Sequence, residues 1–334
     1  MSRRRRPLVR LAGLTVLVLC LSALAADLLA SDLPLAVKVD GRVHVLPVFF
    51  GTGQTRVELI GTGGLPSLRE RVAEEQGAWL VEPPIPFGPT RTSLDHALSP
   101  PSREHPFGTD DLGRDVLSRM IHGARASLGI GLFAVAIYVV LGVALGGLAG
   151  YFGGRVDGVI SRVTEVMLSF PSLFLILAVL GLLRAQSLWP VILVLGLTRW
   201  TDVSRLVRAE CLRLRSLEFV TASRALGASH LRILVSHVLP HTLAPVTVAA
   251  SFGVGAAILL ESALSFLGFG VPAPHPSWGE LLAQAHRYVT YPGAWWLTLF
   301  PGLALFLTVA SFNLLGEALR DAWDPRLANT GGRA

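Results

Sequence analysis

The chain has 334 residues, 51% hydrophobic and only 16% charged, with a formal net charge of +6 at pH 7. So apolar a balance excludes an ordinary soluble enzyme and reads as a membrane protein. The single lysine, Lys38, follows no glycine-rich loop, which excludes a P-loop ATPase within this sequence and leaves ATP-driven work to a partner. Cys20 and Cys211 are too few and too far apart for a disulfide framework or a metal cluster. The positive charge comes from arginines beside hydrophobic stretches, which membrane topology explains without a nucleic-acid partner.

A bilayer crossing takes roughly twenty mostly apolar residues. Six stretches qualify: 8–30, 126–151, 159–183, 187–206, 243–269 and 294–317. Arg3, Arg4, Arg5, Arg6 and Arg10 precede the first, so the N-terminus is expected in the cytoplasm. Alternation from there puts Arg155, Arg205, Arg208, Arg213, Arg215, Arg224, Arg232, Arg320 and Arg326 inside, with a cytoplasmic C-terminus. Tyr288, Tyr291, Trp295 and Trp296 are expected to mark the outer interface of the last span. Ala23-Leu24-Ala25 also permits a cleavable signal peptide; the apolar stretch is longer than a usual signal core, which favours retention as a span.

Between the first two spans, residues 31–122 are too long for a simple loop. Val37, Val39, Val43 and Val45 alternate with polar residues around Asp40-Gly41, a β-hairpin signal. Pro83, Pro84, Pro86 and Pro89 make a stiff extended stretch. From Thr109 a short interfacial helix is expected, with Leu112, Val116, Met120 and Gly123 on one face and Asp110 and Asp111 in its first turn. The segment reads as a structural cap or as a docking surface for an external protein.

Residues 207–240 form an arginine-rich connector between spans four and five. Within it Phe219, Ala222, Ser223 and Leu226 share a helix face. Glu218 suits the first turn, Arg224 the last, and Gly227 a C-cap. Ser229 starts a second helix and Pro240 ends it.

This connector resembles the coupling loop of ABC importer permeases, whose pattern is E-A-A, three residues, Gly, nine residues, Ile-x-Leu-Pro. Thr221, Ala222 and Ser223 stand at the E-A-A positions, Gly227 at the glycine, His237 at the isoleucine, and Leu239-Pro240 at the end. Three further stretches resemble the peptide/nickel branch, the dipeptide and oligopeptide permeases of the C type. They are HPFGTDDLGRDVLSRMIHGARASL (105–128), ESALSFLGFG (261–270) with Pro276-Ser277-Trp278-Gly279, and FNLLGEALRDAWDPR (312–326), where Glu317 replaces an aspartate. Residues 34–49 look like the longer outer segment of an oligopeptide and microcin C-type uptake subgroup.

The resemblance implies an all-α membrane protein with six transmembrane helices and a small outer insertion. Its expected divisions are 1–30 (arginine cluster and first helix), 31–122 (periplasmic insertion), 123–320 (five helices with the coupling loop) and 321–334 (cytoplasmic tail). It implies a permease in the bacterial inner membrane that imports di- or oligopeptides and is not an enzyme. Expected partners are a paralogous permease, two ATPase subunits that hydrolyse ATP, an external binding protein and the lipid bilayer. No cofactor is expected on this chain. Glu218, Phe219, Thr221, Ala222, Ser223, Arg224, Leu226, Gly227, Leu239 and Pro240 would make the ATPase contact.

Glu261 is an ionisable group within a span and either lines the path or braces helices through Ser262 or Ser265. Arg162 and Glu165 form a surface pair or support a dimer interface, and Pro171 kinks its span. Apart from Glu261 and that pair, the spans read as almost uncharged. Three alternatives remain. Nickel or another small solute is one, because the chain has nine histidines; His96, His105 and His275 are expected outside, His230, His237 and His241 inside, without ligand spacing. A stand-alone secondary transporter is the second. An enzyme using Gly227-Ala228-Ser229-His230 is the third, against which stands the lack of a G-x-S-x-G elbow.

Overall fold

A computed structural model describes residues 5–61, 64–183, 187–288 and 293–323. Arg3, Arg4, Tyr291 and Arg326 lie outside them, as does most of the expected tail. The elements begin with α1 (Arg5–Leu24), α2 (Ala26–Leu29), β1 (Ala36–Val39), β2 (Arg42–Val45), α3 (Pro47–Phe50), α4 (Gly53–Ile60), α5 (Gly64–Glu74) and β3 (Trp79–Val81). They continue with α6 (Val116–Phe152), α7 (Gly154–Leu168), α8 (Ser172–Leu183), α9 (Leu188–Leu214), α10 (Glu218–Ala225), α11 (His230–Ile233), α12 (Leu239–Phe266), α13 (Trp278–His286) and α14 (Trp296–Trp323). The chain divides into an insertion unit (17–128 and 273–304) and a helical unit (1–16, 129–272 and 305–334).

In the insertion unit, β1 pairs antiparallel with both β2 and β3, in the order β2-β1-β3. Asp40 and Gly41 both take positive φ, 51° and 70°, as a two-residue hairpin turn demands. That turn sets Val39 opposite Arg42 and Val37 opposite His44. The four valines therefore split between faces: Val37 and Val39 are buried, while Val43 and Val45 are more than half exposed. A small core of Leu59, Ile60, Leu65 and Leu68 packs with Val37 and Val39. A Thr52–Thr55 capping box starts α4, each hydroxyl accepting from the other residue's amide.

The expected helix from Thr109 does not form. Residues 109–115 turn instead, with Thr109 bridging Asp115, and α6 begins only at Val116. Gly113 has φ +67°, and a Cβ there would run into the Ser93 backbone, so the chain cannot be helical at this point. The Asp110 carboxylate accepts from the amides of Leu112 (2.9 Å) and Arg114 (3.0 Å), which favours the turn locally.

Among the described residues four helices are long and apolar enough to cross a membrane: Pro7–Leu24, Val116–Phe152, the continuous run His230–Phe266, and Trp296–Trp323. The expected third span is two helices, α7 and α8, meeting at 84° beside Pro171, and counts as a fifth only if taken as one broken span. In α9 every eighteen-residue window contains Arg199, Asp202 and Arg205, so composition does not mark it as a span.

Within the helical unit α9 packs against α6, α8 and α12. Val191, Ile192, Val194 and Leu195 pack with Ile176 and Leu180 of α8, Ile130 and Ala134 of α6, and Leu264 of α12. On the other side Gly142, Gly146 and Gly150 of α6 lie directly on α9. A Cβ on Gly142 would come within 2.7 Å of the Val203 side chain, and one on Gly150 within 2.7 Å of Cys211 Cβ. Small residues at every fourth position allow this approach, and in lipid such close packing holds helices together in place of the hydrophobic effect.

Candidate functional site: a loop helix and a buried charge network

The connector folds as α10, a turn and α11. Val220 is fully buried and anchors α10, while Phe219, Ala222 and Leu226 are exposed, Leu226 at 88%. The Phe219 ring lies 5.4 Å from the His241 ring on α12. Thr221 and Ser223 donate their hydroxyls back to the carbonyls of Leu217 (3.4 Å) and Phe219 (2.8 Å), so neither projects a free donor. Glu218 and Arg224 occupy the first and last turns with signs that suit the helix dipole. Gly227 takes φ +81°; its amide donates to Arg224 O (3.0 Å), and that of Ala228 to Ser223 O (3.2 Å). These paired bonds are a Schellman cap, which favours glycine.

Ser229 Oγ accepts from the Arg232 amide at 3.4 Å and caps α11, and His230 Nδ1 lies 3.1 Å from the Tyr151 hydroxyl. Both groups of the serine–histidine pair thus have structural partners. Pro240 does not end a helix. It enters α12 within the helical run from His230, just after a π turn at Leu234–Val238 whose closing bond runs from Leu239 N to Leu234 O. The widened turn accommodates the proline that a tight α-helix would reject.

Glu261 is fully buried in α12 and accepts from Ser265 Oγ at 2.8 Å. Ser262 instead donates to Ile258 O at 3.0 Å, so the local brace is Ser265. Arg162 and Glu165 pair at 2.9 Å on an exposed surface.

The 105–128 and 276–279 segments build one network in the insertion unit. Asp110, fully buried, pairs with Arg114 Nε at 2.7 Å and with Arg119 Nη1; Arg119, also fully buried, reaches Glu280 Oε2 at 2.6 Å. His105 Nδ1 lies 2.8 Å from Asp115 Oδ2, while Asp115 Oδ1 accepts from the Ser118 amide at 2.7 Å and caps α6. Asp111 accepts from Gln284 and from the Tyr288 hydroxyl (3.0 Å), and that bond pushes the Tyr288 phenol above its ordinary range. Trp278 donates its amide to Ser127 Oγ and its indole to Met120 O, both at 3.0 Å. Trp296 is buried and donates to Thr109 O at 3.0 Å, so it is a packing residue rather than an interfacial anchor; Trp295 is exposed. Among the described residues no three His, Cys, Asp or Glu side chains converge as a metal site.

Sequence reasoning missed one group in the helical unit. Arg199, midway along α9, lines a cavity of about 20 Å³ with Tyr138 of α6 and Gly253 of α12. Its charge was visible in the sequence, inside a stretch expected to be nearly uncharged.

Residues 142–329 match the family described as binding-protein-dependent transport system inner membrane component. The chain belongs to that family. This permease is 42% identical to the dipeptide transport system permease protein DppC of Alkalihalophilus pseudofirmus over 72% of its length and 81% of the relative's. It is 38% identical to the oligopeptide transport system permease protein OppC of Bacillus subtilis, over 71% and 76% respectively. A solved structure of the inward-facing MetNI methionine ABC transporter matches with a TM-score of 0.50 at 18% identity, covering 60% of this chain and 94% of that one. The permease therefore shares the predominantly helical ABC-transporter permease fold and has several apolar helices suited to the inner membrane.

Proposed function

We propose that this permease forms half of the pathway of an ATP-driven importer for di- or oligopeptides. Its other half would be a paralogous permease, with two ATPase subunits on the cytoplasmic side and a binding protein outside. The peptide relatives support the substrate class over nickel or another solute. Six crossings follow if α7 and α8 together make one broken span and α9 turns its charges toward the pathway, with both termini cytoplasmic. The insertion between the first two spans then faces the periplasm, where exposed Val43, Val45, Phe49 and Phe50 offer an apolar contact for the binding protein.

The observation that carries the reading is α10: an exposed face of Phe219, Ala222 and Leu226 on a helix pinned by buried Val220 and ended by left-handed Gly227. Such a helix suits the groove of an ATPase, whose closure it would relay to the spans. Replacing Gly227 with valine strains a φ of +81°, at a cost of about 1–3 kcal/mol. We expect Gly227→Val to insert normally while ATP hydrolysis separates from peptide uptake. Affinity-tagged wild type, extracted from its native membrane, should retain two P-loop ATPases and a second permease. Normal uptake by Gly227→Val, or a wild-type chain that purifies alone, refutes the assignment.

A further inference from the structure

Three helix faces meet around Arg199. Leu195 and Arg199 of α9 stand four residues apart, as do Ala134 and Tyr138 of α6; α12 completes the wall with Gly253 and its neighbouring alanines. Arg199 forms no hydrogen bond or ion pair among the described residues, and Asp202, one turn on, does not pair with it. Tyr138 is 7% exposed, and its hydroxyl likewise has no hydrogen-bond partner among the described residues. That hydroxyl reaches α12 because residue 253 is glycine: a Cβ there would lie within 2.9 Å of Tyr138 Cζ.

An arginine midway along a helix packed among apolar spans is costly, and such groups usually face a wet interior or a ligand. A guanidinium beside a phenol presents converging donors, and the nearby Asp202 carboxylate hydrogen-bonds neither of them. The ligand chemistry that complements them is a planar anion, and a carboxylate fits the guanidinium fork best. We propose that Arg199 and Tyr138 form a subsite that receives the C-terminal carboxylate of a peptide as it passes between α6, α9 and α12. This rests on the peptide-importer reading and adds the group on the substrate that the permease itself reads. The cavity of about 20 Å³ holds roughly one water. The carboxylate therefore enters only when the three helices part, and Arg199 then replaces the hydration the carboxylate has lost.

The test compares a dipeptide with its C-amidated form in proteoliposomes carrying the complete transporter, driven by ATP at saturating binding protein. Arg199→Gln should slow the free-carboxylate dipeptide at least tenfold and change the amidated one less than twofold. Arg199→Lys should recover part of the difference. A loss shared equally by both peptides means a structural role and overturns the proposal, as does no loss. Should Arg199→Gln fail to assemble, Tyr138→Phe carries the same comparison, with a selective loss of about threefold expected and an equal effect on both peptides overturning it. A wild-type transporter that moves neither peptide overturns the importer reading itself, and this subsite with it.

Discussion

Replacing Arg119 with alanine would test whether the buried charge network holds the insertion unit together. Arg119 is fully buried and joins Asp110 to Glu280, residues far apart in sequence. Breaking a buried pair by removing one partner costs about 3–5 kcal/mol, because a charge stays behind in low dielectric. Here the lower end applies. Asp110 keeps Arg114 and two backbone amides, and Glu280, with 18% of its side chain exposed, can hydrate. About 3 kcal/mol corresponds to roughly a hundredfold in the local opening equilibrium. Hydrogen exchange by mass spectrometry should show amides in 108–118 and 278–286 exchanging that much faster in Arg119→Ala. Arg119→Lys should fall between, since one ammonium cannot replace a planar fork between two carboxylates. Exchange within about threefold of wild type in both segments would refute the argument, and would mean that packing around Trp278 carries the load alone.

Two further expectations concern other parts of the chain. Glu82 pairs with Arg69, and the guanidinium hydrogen bond holds its carboxyl below the usual value of 4.5. A lowered folded pKa contributes stability above the unfolded value and loses it as pH falls through the folded one. Acidification below about pH 4.5 should therefore loosen α5 against β3, by well under 1 kcal/mol because the pair is partly exposed, and Glu82→Gln should abolish that pH dependence in exchange measurements. In the helical unit, Gly146→Leu would drive a side chain into the Ser204 backbone, where even a Cβ meets Ser204 Cα at 3.0 Å. We expect at least 3 kcal/mol of destabilisation, read as loss of folded protein on gel filtration in detergent, whereas Gly129→Leu, which faces open space, should be tolerated.

The features legible in the sequence were those fixed by neighbouring residues. Asp40-Gly41 specifies its hairpin, Gly227 its cap and Ser229 the start of α11, because each acts within a turn of itself. Pro240 misled because a proline stops an α-helix but not one already widened by a π turn, and that widening has no simple sequence mark. At Thr109 the acidic pair looked like a helix start, although Asp110 bonds forward into a turn that Gly113 completes. β3 is three residues long and pairs with a strand about forty positions earlier, beyond any local pattern. The charge network was equally hidden: both segments were recognisable, but nothing local says that Arg119 meets Glu280. Arg199 was in plain view and was averaged away by the apolar residues around it.

The unbroken run from His230 to Phe266 has a mechanical consequence. Its 37 residues make a rod of about 55 Å, with the capped turn after α10 at one end and Glu261 near the other. A rod of that length is a lever: a tilt of roughly 5° at its foot displaces its head by roughly 5 Å, comparable to one helical turn. The π turn, Pro240 and Pro245 all lie near the foot, where the regular bonding is interrupted, so bending would concentrate there and leave the stretch beyond Pro245 stiff. A small tilt of the stretch beyond that bend would then arrive at the opposite end as a large, directed displacement.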